Sequence, residues 1–407
     1  MPKMSRQKPL PSPKFAIGNN PERSRTHNRR VVLDVIRQNG PLGRTAIARL
    51  AHLSSQAVSN IVSELLDEGL LLECGRLRSG RGQPPVQVMV NPEGGMTIGI
   101  EIAADHMVTV LVDLTGRIRA NQSIALRDAD PEHIVPLLKT EISRICSGIP
   151  DASERLLGVG VVMPGPFEID GMSSVGPTTL PGWSGQDAPA LLTAALGIPT
   201  LVENDATAAA VGERLHGAAK NLKNYCLIYF GAGLGLGIVS DGHPFRGAFG
   251  NAGEIGHFVI SPGGRACACG NRGCLERYAS LHSLKERLRA AGLTYDIPAD
   301  FETLVKARHP ILQDWITETA SHLIPIIGML ENLLDPESIV IGGALPDAIL
   351  TDLIKALVPL PRSVASRRHR MVPRILPGTG GLLTAALGAA ALPLLETMTP
   401  KLDTAPA

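Results

Sequence analysis

A chain of 407 residues, 44% hydrophobic and 19% charged, is long enough for two or three domains and has the composition of an ordinary soluble globular protein. Its net charge of +1 hides an asymmetry, because residues 1–90 carry 14 Lys/Arg against 6 Asp/Glu, a net +8, which leaves −7 for the rest. The basic segment fits a polyanion partner or, equally, a solvated charged face. The six cysteines, three of them at 267, 269 and 274, exclude a disulfide framework in favour of a metal site.

Met1 to Pro21 is rich in Pro, Lys, Asn and Ser and lacks the progression of a secretory leader, so residues 1–22 are expected to form a disordered basic tail and the protein to be cytoplasmic. Val31, Val32, Val35 and Ile36 predict a helix over Asn28–Gln38, stopped by Asn39-Gly40-Pro41. A second short helix fits Gly43–Ala51. A third, Ser54–Glu68, carries one apolar stripe of Val58, Ile61, Val62, Leu65 and Leu66, with Gly69 beyond its end. Strands at Leu70–Glu73 and Val86–Val90 then flank the basic, glycine-rich stretch Arg76–Gly82. Three helices and a basic hairpin make residues 23–90 a winged helix-turn-helix.

On the third helix, Ser55, Gln56, Ser59 and Asn60 are hydrogen-bonding groups placed to meet base edges, or else the polar start of a helix capped by Ser54. Arg81 between two glycines suits a narrow minor groove, and Arg76 and Arg78 suit phosphates, which favours operator DNA as the partner of a homodimer or homotetramer.

Beyond Asn91 strands alternate with helices. Strands are predicted at Ile98–Ile102, Val108–Asp113, Ile118–Ile124, Leu156–Val162, Tyr225–Phe230, Leu236–Val239 and Ser338–Ile341; helices at Glu132–Cys146, Ala206–Leu215 and Ile311–Leu334. Residues 91–407 therefore read as an α/β body in two lobes, without a short-period repeat. The apolar stretch Gly381–Leu395 is too short to span a bilayer and contains Pro393, so it is expected to be a core helix, and no membrane segment is expected.

His257 followed by Cys267-Ala-Cys269-Gly-Asn-Arg-Gly-Cys274 supplies three thiolates and one imidazole, a closed tetrahedral shell for a structural Zn2+ in the loop 257–276. Gly253-Glu254-Ile-Gly-His257 leading into this cluster and Leu275-Glu276 resembles the signature of the ROK (repressor, ORF, kinase) family. So do Gly158–Pro166, Leu180-Pro-Gly-Trp183, Glu203-Asn-Asp-Ala206, Gly231–Gly237 and Leu334–Gly343. The resemblance covers the chain from Asn91 onward. It implies an actin-like, two-lobed fold of the sugar kinase and ribonuclease H-like kind, with a monosaccharide between the lobes contacted by Asn204, Asp205, Glu254, His257 and Glu276. Read from the residues alone, Asn204 and Asp205 also suit helix caps, and Glu254 and Glu276 surface carboxylates. The regulators of the family place a winged helix-turn-helix ahead of this body.

Family kinases carry Asp-x-Gly-Gly-Thr where this chain has Glu101-Ile-Ala-Ala-Asp105, and Thr where it has Ala232 in the loop Gly231–Gly237. Alanine β-carbons and a carboxylate oppose a phosphate there, although Asp205 keeps the position of the kinase base. The expected function is a sugar-responsive repressor of carbohydrate-utilisation genes that does not phosphorylate its ligand. The alternatives are an ATP-dependent sugar kinase with a DNA-binding domain and, more remotely, a zinc-sensing repressor. Thr179, where the family often has Asn, leaves the sugar open.

Overall fold

The computed structural model describes residues 21–76, 86–165, 180, 182–183, 186–293, 298–365 and 370–398. They divide into two units, residues 1–94 with 395–407 and residues 95–394.

The first unit opens with α1 (Pro21–Asn39), β1 (Leu42–Gly43), α2 (Arg44–Ala51) and α3 (Ser55–Asp67), followed by β2 (Leu71–Arg76) and β3 (Val86–Val90). α1 begins seven residues ahead of the expected Asn28. Pro21 suits a first helical turn, whose N–H groups have no partner anyway, and Arg25 and Arg29 reach across to Glu64 and Glu68 on α3 and its cap. Pro21 and Glu22 thus belong to a helix and not to the tail; residues 1–20 lie outside the described residues. Ser54 caps α3, its hydroxyl accepting from the Ala57 N–H at 3.2 Å, and Gly69 ends it with φ +75°. Val32, Leu33, Ile36, Ile47, Val58, Val62 and Leu65 are buried, so the apolar stripes face inward as their spacing requires. The three strands form an antiparallel sheet in the order β1-β3-β2. β1, only two residues long, has no pattern by which a sequence could announce it.

The second unit holds two five-stranded sheets. In the first, β4 (Met96–Ile102), β5 (His106–Asp113) and β6 (Ile118–Ala125) form an antiparallel meander. α4 (Pro131–Ser147) then leads to β7 (Leu156–Met163), parallel to β4, and α5 (Ala188–Leu196) to β8 (Thr200–Asn204), parallel to β7. α6 (Asp205–His216) passes to the second sheet. There β9 (Tyr225–Phe230), β10 (Leu234–Ser240) and β11 (His243–Pro244) form another antiparallel meander. Four helices follow: α7 (Glu276–Ala279), α8 (Leu281–Ala290), α9 (Pro298–Lys306) and α10 (Pro310–Leu334). β12 (Ser338–Gly343) runs parallel to β9, and after α11 (Asp347–Ala356) β13 (Ile375–Pro377) runs parallel to β12. The orders, β6-β5-β4-β7-β8 and β11-β10-β9-β12-β13, are one topology used twice. Met96, Ile98, Ile100, Val159 and Val161 fill the first core, and Phe230, Ile339 and Ile341 pack with Trp315 of α10 in the second.

α12 (Thr384–Met398) closes the fold. With its preceding turn it gives an 18-residue stretch, Gly381–Met398, that by length and composition alone could cross a membrane, which corrects the expectation that the stretch is too short. Its small residues nevertheless lie inside the protein: Ala385, Ala386, Ala389 and Ala390 are buried. A β-carbon on Gly99 of β4 would come within 1.9 Å of the Ala386 carbonyl oxygen, and one on Gly160 of β7 within 1.9 Å of that of Ala389. Pro393 has no N–H to give the Ala389 carbonyl four residues earlier, the carbonyl that faces Gly160. The Gly/Ala composition is therefore a requirement of close helix-on-sheet approach.

Candidate functional site

The C-terminal ends of β4, β7, β8 and β9 converge with the loop before His257. Asn204 ends β8 and caps α6, its Oδ1 accepting from the N–H groups of Ala206 at 3.0 Å and Thr207 at 3.2 Å. Asp205 Oδ1 also accepts from the Ala206 N–H, at 2.7 Å. Both residues are thus helix caps, and each keeps a second polar atom for other use. Three glycines locate those atoms. A β-carbon on Gly165 would lie 2.7 Å from Asn204 Nδ2 and 3.1 Å from Glu254 Oε1; on Gly231, 3.6 Å from Asp205 Oδ2; on Gly233, 3.2 Å from Glu276 Oε2. Asn204, Asp205, Glu254 and Glu276 therefore border backbone kept bare of side chains. Glu203, which sequence reasoning quoted but gave no role, supports them: its Oε1 accepts from the Asn204 N–H at 3.0 Å and its Oε2 from Arg246 Nε at 2.6 Å.

Burial pushes Asp205 up to about 6, against the opposing pull of the Ala206 N–H. It pushes Glu254 up to about 7, helped by the charges of Asp205 and Glu276. Glu101, at the end of β4, is also pushed up to about 7 by burial, with His106 opposing and Asp205 and Asp105 adding. Glu101 is thus a further carboxylate of the cluster. In the sequence it stands only as the first residue of the altered turn Glu101–Asp105, with nothing local to pair it with Asp205. Glu276 is buried, which rules out the surface-carboxylate reading for it.

The turn after β4 is closed on itself. The Ala103 N–H donates to the His106 carbonyl at 2.9 Å, and the Asp105 carboxylate lies 2.6 Å from His106 Nδ1. Their hydrogen bond holds Asp105 below and His106 above their usual values. In the matching turn after β9, the Gly231 N–H donates to the Gly233 carbonyl at 3.1 Å.

His257 ends a short 3-10 turn, Ile255–His257, and the loop after it brings the three cysteines back. The donor atoms of His257, Cys267, Cys269 and Cys274 all lie within 4.8 Å of one another. Cys267 Sγ is 3.6 Å from His257 Nδ1, and Cys269 Sγ is 3.6 Å from Cys274 Sγ. Tetrahedral ligands with zinc–ligand bonds of about 2.0–2.3 Å are about 3.5–3.8 Å apart, so the residues fit a metal ion. The loop depends on Gly273, whose φ is +87° and whose β-carbon would meet the Ser261 carbonyl oxygen at 1.7 Å. Glu276 joins this cluster to the carboxylates: its Oε1 lies 3.1 Å from Cys267 Sγ and 3.6 Å from His257 Nδ1.

In the first unit, Ser55, Gln56 and Asn60 are exposed and Ser59 is half-buried. Gln56 Nε2 donates to Asn60 Oδ1 at 3.0 Å, one turn along α3. Arg76 closes β2 opposite Val86. Arg78, Arg81 and Thr179 lie outside the described residues.

The twice-used sheet and the residues at its strand ends define a sugar-kinase-like α/β body. The family model described as "ROK family" matches residues 97–395, and the chain belongs to that family. It is 33% identical to the xylose repressor of Bacillus spizizenii over 262 residues, 64% of this chain and 68% of that protein. Its structure is similar to that of a ROK family transcriptional regulator, a homologue of the E. coli MLC protein, with a TM-score of 0.72 and 25% identity over 92% of this chain and 98% of the other. A ROK family glucokinase from Streptomyces griseus, solved with glucose and AMPPNP, is similar with a TM-score of 0.60 and 27% identity over 73% of this chain and 99% of the other.

Proposed function

We propose that this chain is a cytoplasmic, sugar-responsive transcription regulator, a repressor of carbohydrate-utilisation genes. Residues 23–90 act as a winged helix-turn-helix on operator DNA, preceded by the basic tail, and residues 91–407 bind a monosaccharide without phosphorylating it. Asn204, Asp205, Glu254, His257 and Glu276 contact sugar hydroxyls; carboxylates accept from hydroxyl groups and Asn both donates and accepts. The observation that carries this reading is the convergence of Asn204, Asp205, Glu254 and Glu276 on Gly165, Gly231 and Gly233. Support for the DNA-binding unit comes from the similar regulator, whose 92% coverage exceeds what residues 95–407 alone can supply. The chain acts as a homodimer or homotetramer, because paired recognition helices match the two-fold symmetry of an operator. Ser55, Gln56, Ser59 and Asn60 read bases, and Arg76, Arg78 and Arg81 hold the backbone and minor groove. A Zn2+ held by His257, Cys267, Cys269 and Cys274 would be structural, with no open position for a substrate.

The closed turn at Ala103–His106 supports a binder over a kinase, since its N–H is spent internally and Asp105 presents a carboxylate where a phosphate would sit. The kinase reading keeps one observation in its favour, Asp205 at the start of α6. Titrating operator DNA with and without each of a panel of monosaccharides, alongside transfer from labelled ATP to the same sugars, tests both. The expected result is a sugar-dependent change in DNA affinity of about 5- to 150-fold with no transfer. Transfer without any change in DNA affinity overturns the regulator in favour of the kinase.

A further inference from the structure

Resting on the sugar-binding reading above, we infer that Phe249 is a further ligand-contacting residue, whose ring stacks on the C–H face of a bound pyranose. Of the five phenylalanines among the described residues, Phe230 and Phe301 are buried, whereas Phe245, Phe249 and Phe258 are exposed, Phe249 by 85%. A ring so open to water forgoes the burial that makes phenylalanine a core residue.

The position of this ring gives it another use. Phe249 lies at the tip of a closed loop, residues 246–252, in which the Ala252 N–H donates to the Arg246 carbonyl at 3.1 Å. One foot of the loop is tied to the first sheet: Arg246 Nε donates to Glu203 Oε2 at 2.6 Å, and Glu203 Oε1 accepts from the Asn204 N–H at 3.0 Å. The other foot is tied to the second sheet, where the Gly253 carbonyl accepts from the Leu236 N–H of β10 at 2.9 Å. Glu254 follows directly, and its Oε1 and Asn204 Nδ2 both lie within 3.1 Å of the place a β-carbon on Gly165 would take. The loop therefore stands across the gap between the sheets with a sugar-contacting residue at each foot. From a foot to the tip is three residues, a reach of at most about 11 Å. Gly247 and Gly250, on either side of Phe249, have φ of +72° and +83°, and a β-carbon on Gly250 would meet nothing within 4 Å. Glycine adopts either sign of φ, so these two positions let the tip turn without disturbing the feet.

A pyranose presents a rim of hydroxyls and a flat patch of C–H groups. Asn204, Asp205, Glu254, His257 and Glu276 are all polar and serve the rim. An aromatic ring complements the patch, being apolar, flat and negative on its face toward the slightly positive C–H groups.

The test begins with calorimetric titration of the full zinc-loaded chain against glucose, galactose, xylose and N-acetylglucosamine. Phe249→Ala is expected to weaken the sugar that binds best by about tenfold, the cost of leaving most of a phenyl contact unmade. Phe249→Tyr, which keeps the ring, should stay within about threefold, and Phe245→Ala, outside the loop, within about twofold. Phe249→Trp adds an exposed indole to Trp183 and Trp315, which are both buried; its quenching by acrylamide should fall at saturating sugar. Unchanged sugar affinity in Phe249→Ala, or an indole quenched equally with and without sugar, overturns the inference and leaves the sugar sensor standing. Equal losses in Phe249→Ala and Phe245→Ala overturn it too, since the effect then belongs to the whole sheet edge. Self-association lost in Phe249→Ala with sugar affinity retained overturns it in favour of an interface between copies of the chain. Absence of binding by the native chain to all four sugars overturns the sugar-binding reading itself, and the inference with it.

Discussion

The two sheets of the body share one strand order, yet the turns that follow their first strands have diverged. After β4 the chain runs Ala103-Ala104-Asp105 and locks itself through the Ala103–His106 hydrogen bond and the Asp105–His106 pair. After β9 it runs Gly231-Ala232-Gly233, which is also bonded across the turn from the Gly231 N–H to the Gly233 carbonyl but has no side-chain pair over it and leaves two positions bare beside Asp205 and Glu276. One topology therefore gives a sealed corner in one half and an open floor in the other, decided by a few side chains. The fold alone does not fix the chemistry; the residues grafted on it do. The halves also differ in what stabilises them: α12 packs on both, its Ala385 and Ala389 sharing a core with Leu227 and Val340, but it meets the glycines of the first sheet at closest approach, while the His257–Cys274 cluster is built onto the second sheet alone.

That contrast can be broken from either side. The largest effect is expected for Cys269→Ser, which removes one of four ligands: zinc content by elemental analysis should fall from one per chain toward zero, with loss of several kcal/mol of stability. Limited proteolysis should then cut first within 245–280. Retention of a full zinc complement would show that the cluster is not the metal site. On the other half, Gly160→Ala drives a β-carbon into the Ala389 carbonyl and should cost on the order of 3 kcal/mol in denaturant unfolding. Ala104→Gly in the sealed turn, which vacates space, should cost under about 1 kcal/mol. If the two prove equal, the first half is not held by close approach.

Smaller changes sharpen the difference at the floor. Glu254→Ala and Glu276→Ala should each weaken sugar binding by about 1–3 kcal/mol and leave operator affinity without sugar unchanged; a fall in sugar-free DNA binding would tie these carboxylates to the DNA-binding unit instead. The smallest effect concerns protons. Because Glu101 titrates near 7 when folded, against 4.5 as its ordinary value, the folded chain holds a proton that the unfolded chain has released across that window. Ligand-free stability should therefore fall as pH rises from about 5 to 7, by up to about 1.4 kcal/mol per pH unit per proton. The raised His106 contributes with the same sign, its stabilisation lost as pH climbs through its folded value. Glu254 and Asp205, also raised by burial, add with the same sign, so Glu101→Gln should reduce the slope of the thermal-melting profile over that range by its one-proton share and not abolish it, and an unchanged slope would place that proton elsewhere.

Much of the site was legible because its signals are short and local. A histidine followed by three cysteines within eight residues needs no partner strand to be noticed, whereas Asn204 and Asp205, which by themselves read as caps of an alanine-rich helix, were marked as site residues only by the family resemblance. Nine of the thirteen described strands were expected, eight of them within two residues of their observed ends, as apolar runs bounded by turn residues; β1, β8, β11 and β13, short or carrying no clear alternation, were not. What escaped depends on residues distant in the chain. The shared sheet order is set by which strands pair, and hydrophobic periodicity carries no record of it. Glu101 sits between Ile100 and Ile102 and looks like an outward strand residue until Asp205 is brought beside it. Gly99 and Gly160 are explained only once α12 lies on them, from more than 200 residues away. The early start of α1 is a matter of its salt bridges to α3, which no local window contains.

The burial of α12 also sets a schedule. Thr97 Oγ1 donates to the Ala390 carbonyl across 293 residues, so the strand made among the first of the body is covered by the helix made last. At roughly 5–20 residues per second of synthesis, that strand waits about 15–60 s on the ribosome for its lid. During that interval the glycine-lined face of the first sheet stands uncovered, and the chain relies on whatever shields nascent polypeptides until α12 emerges.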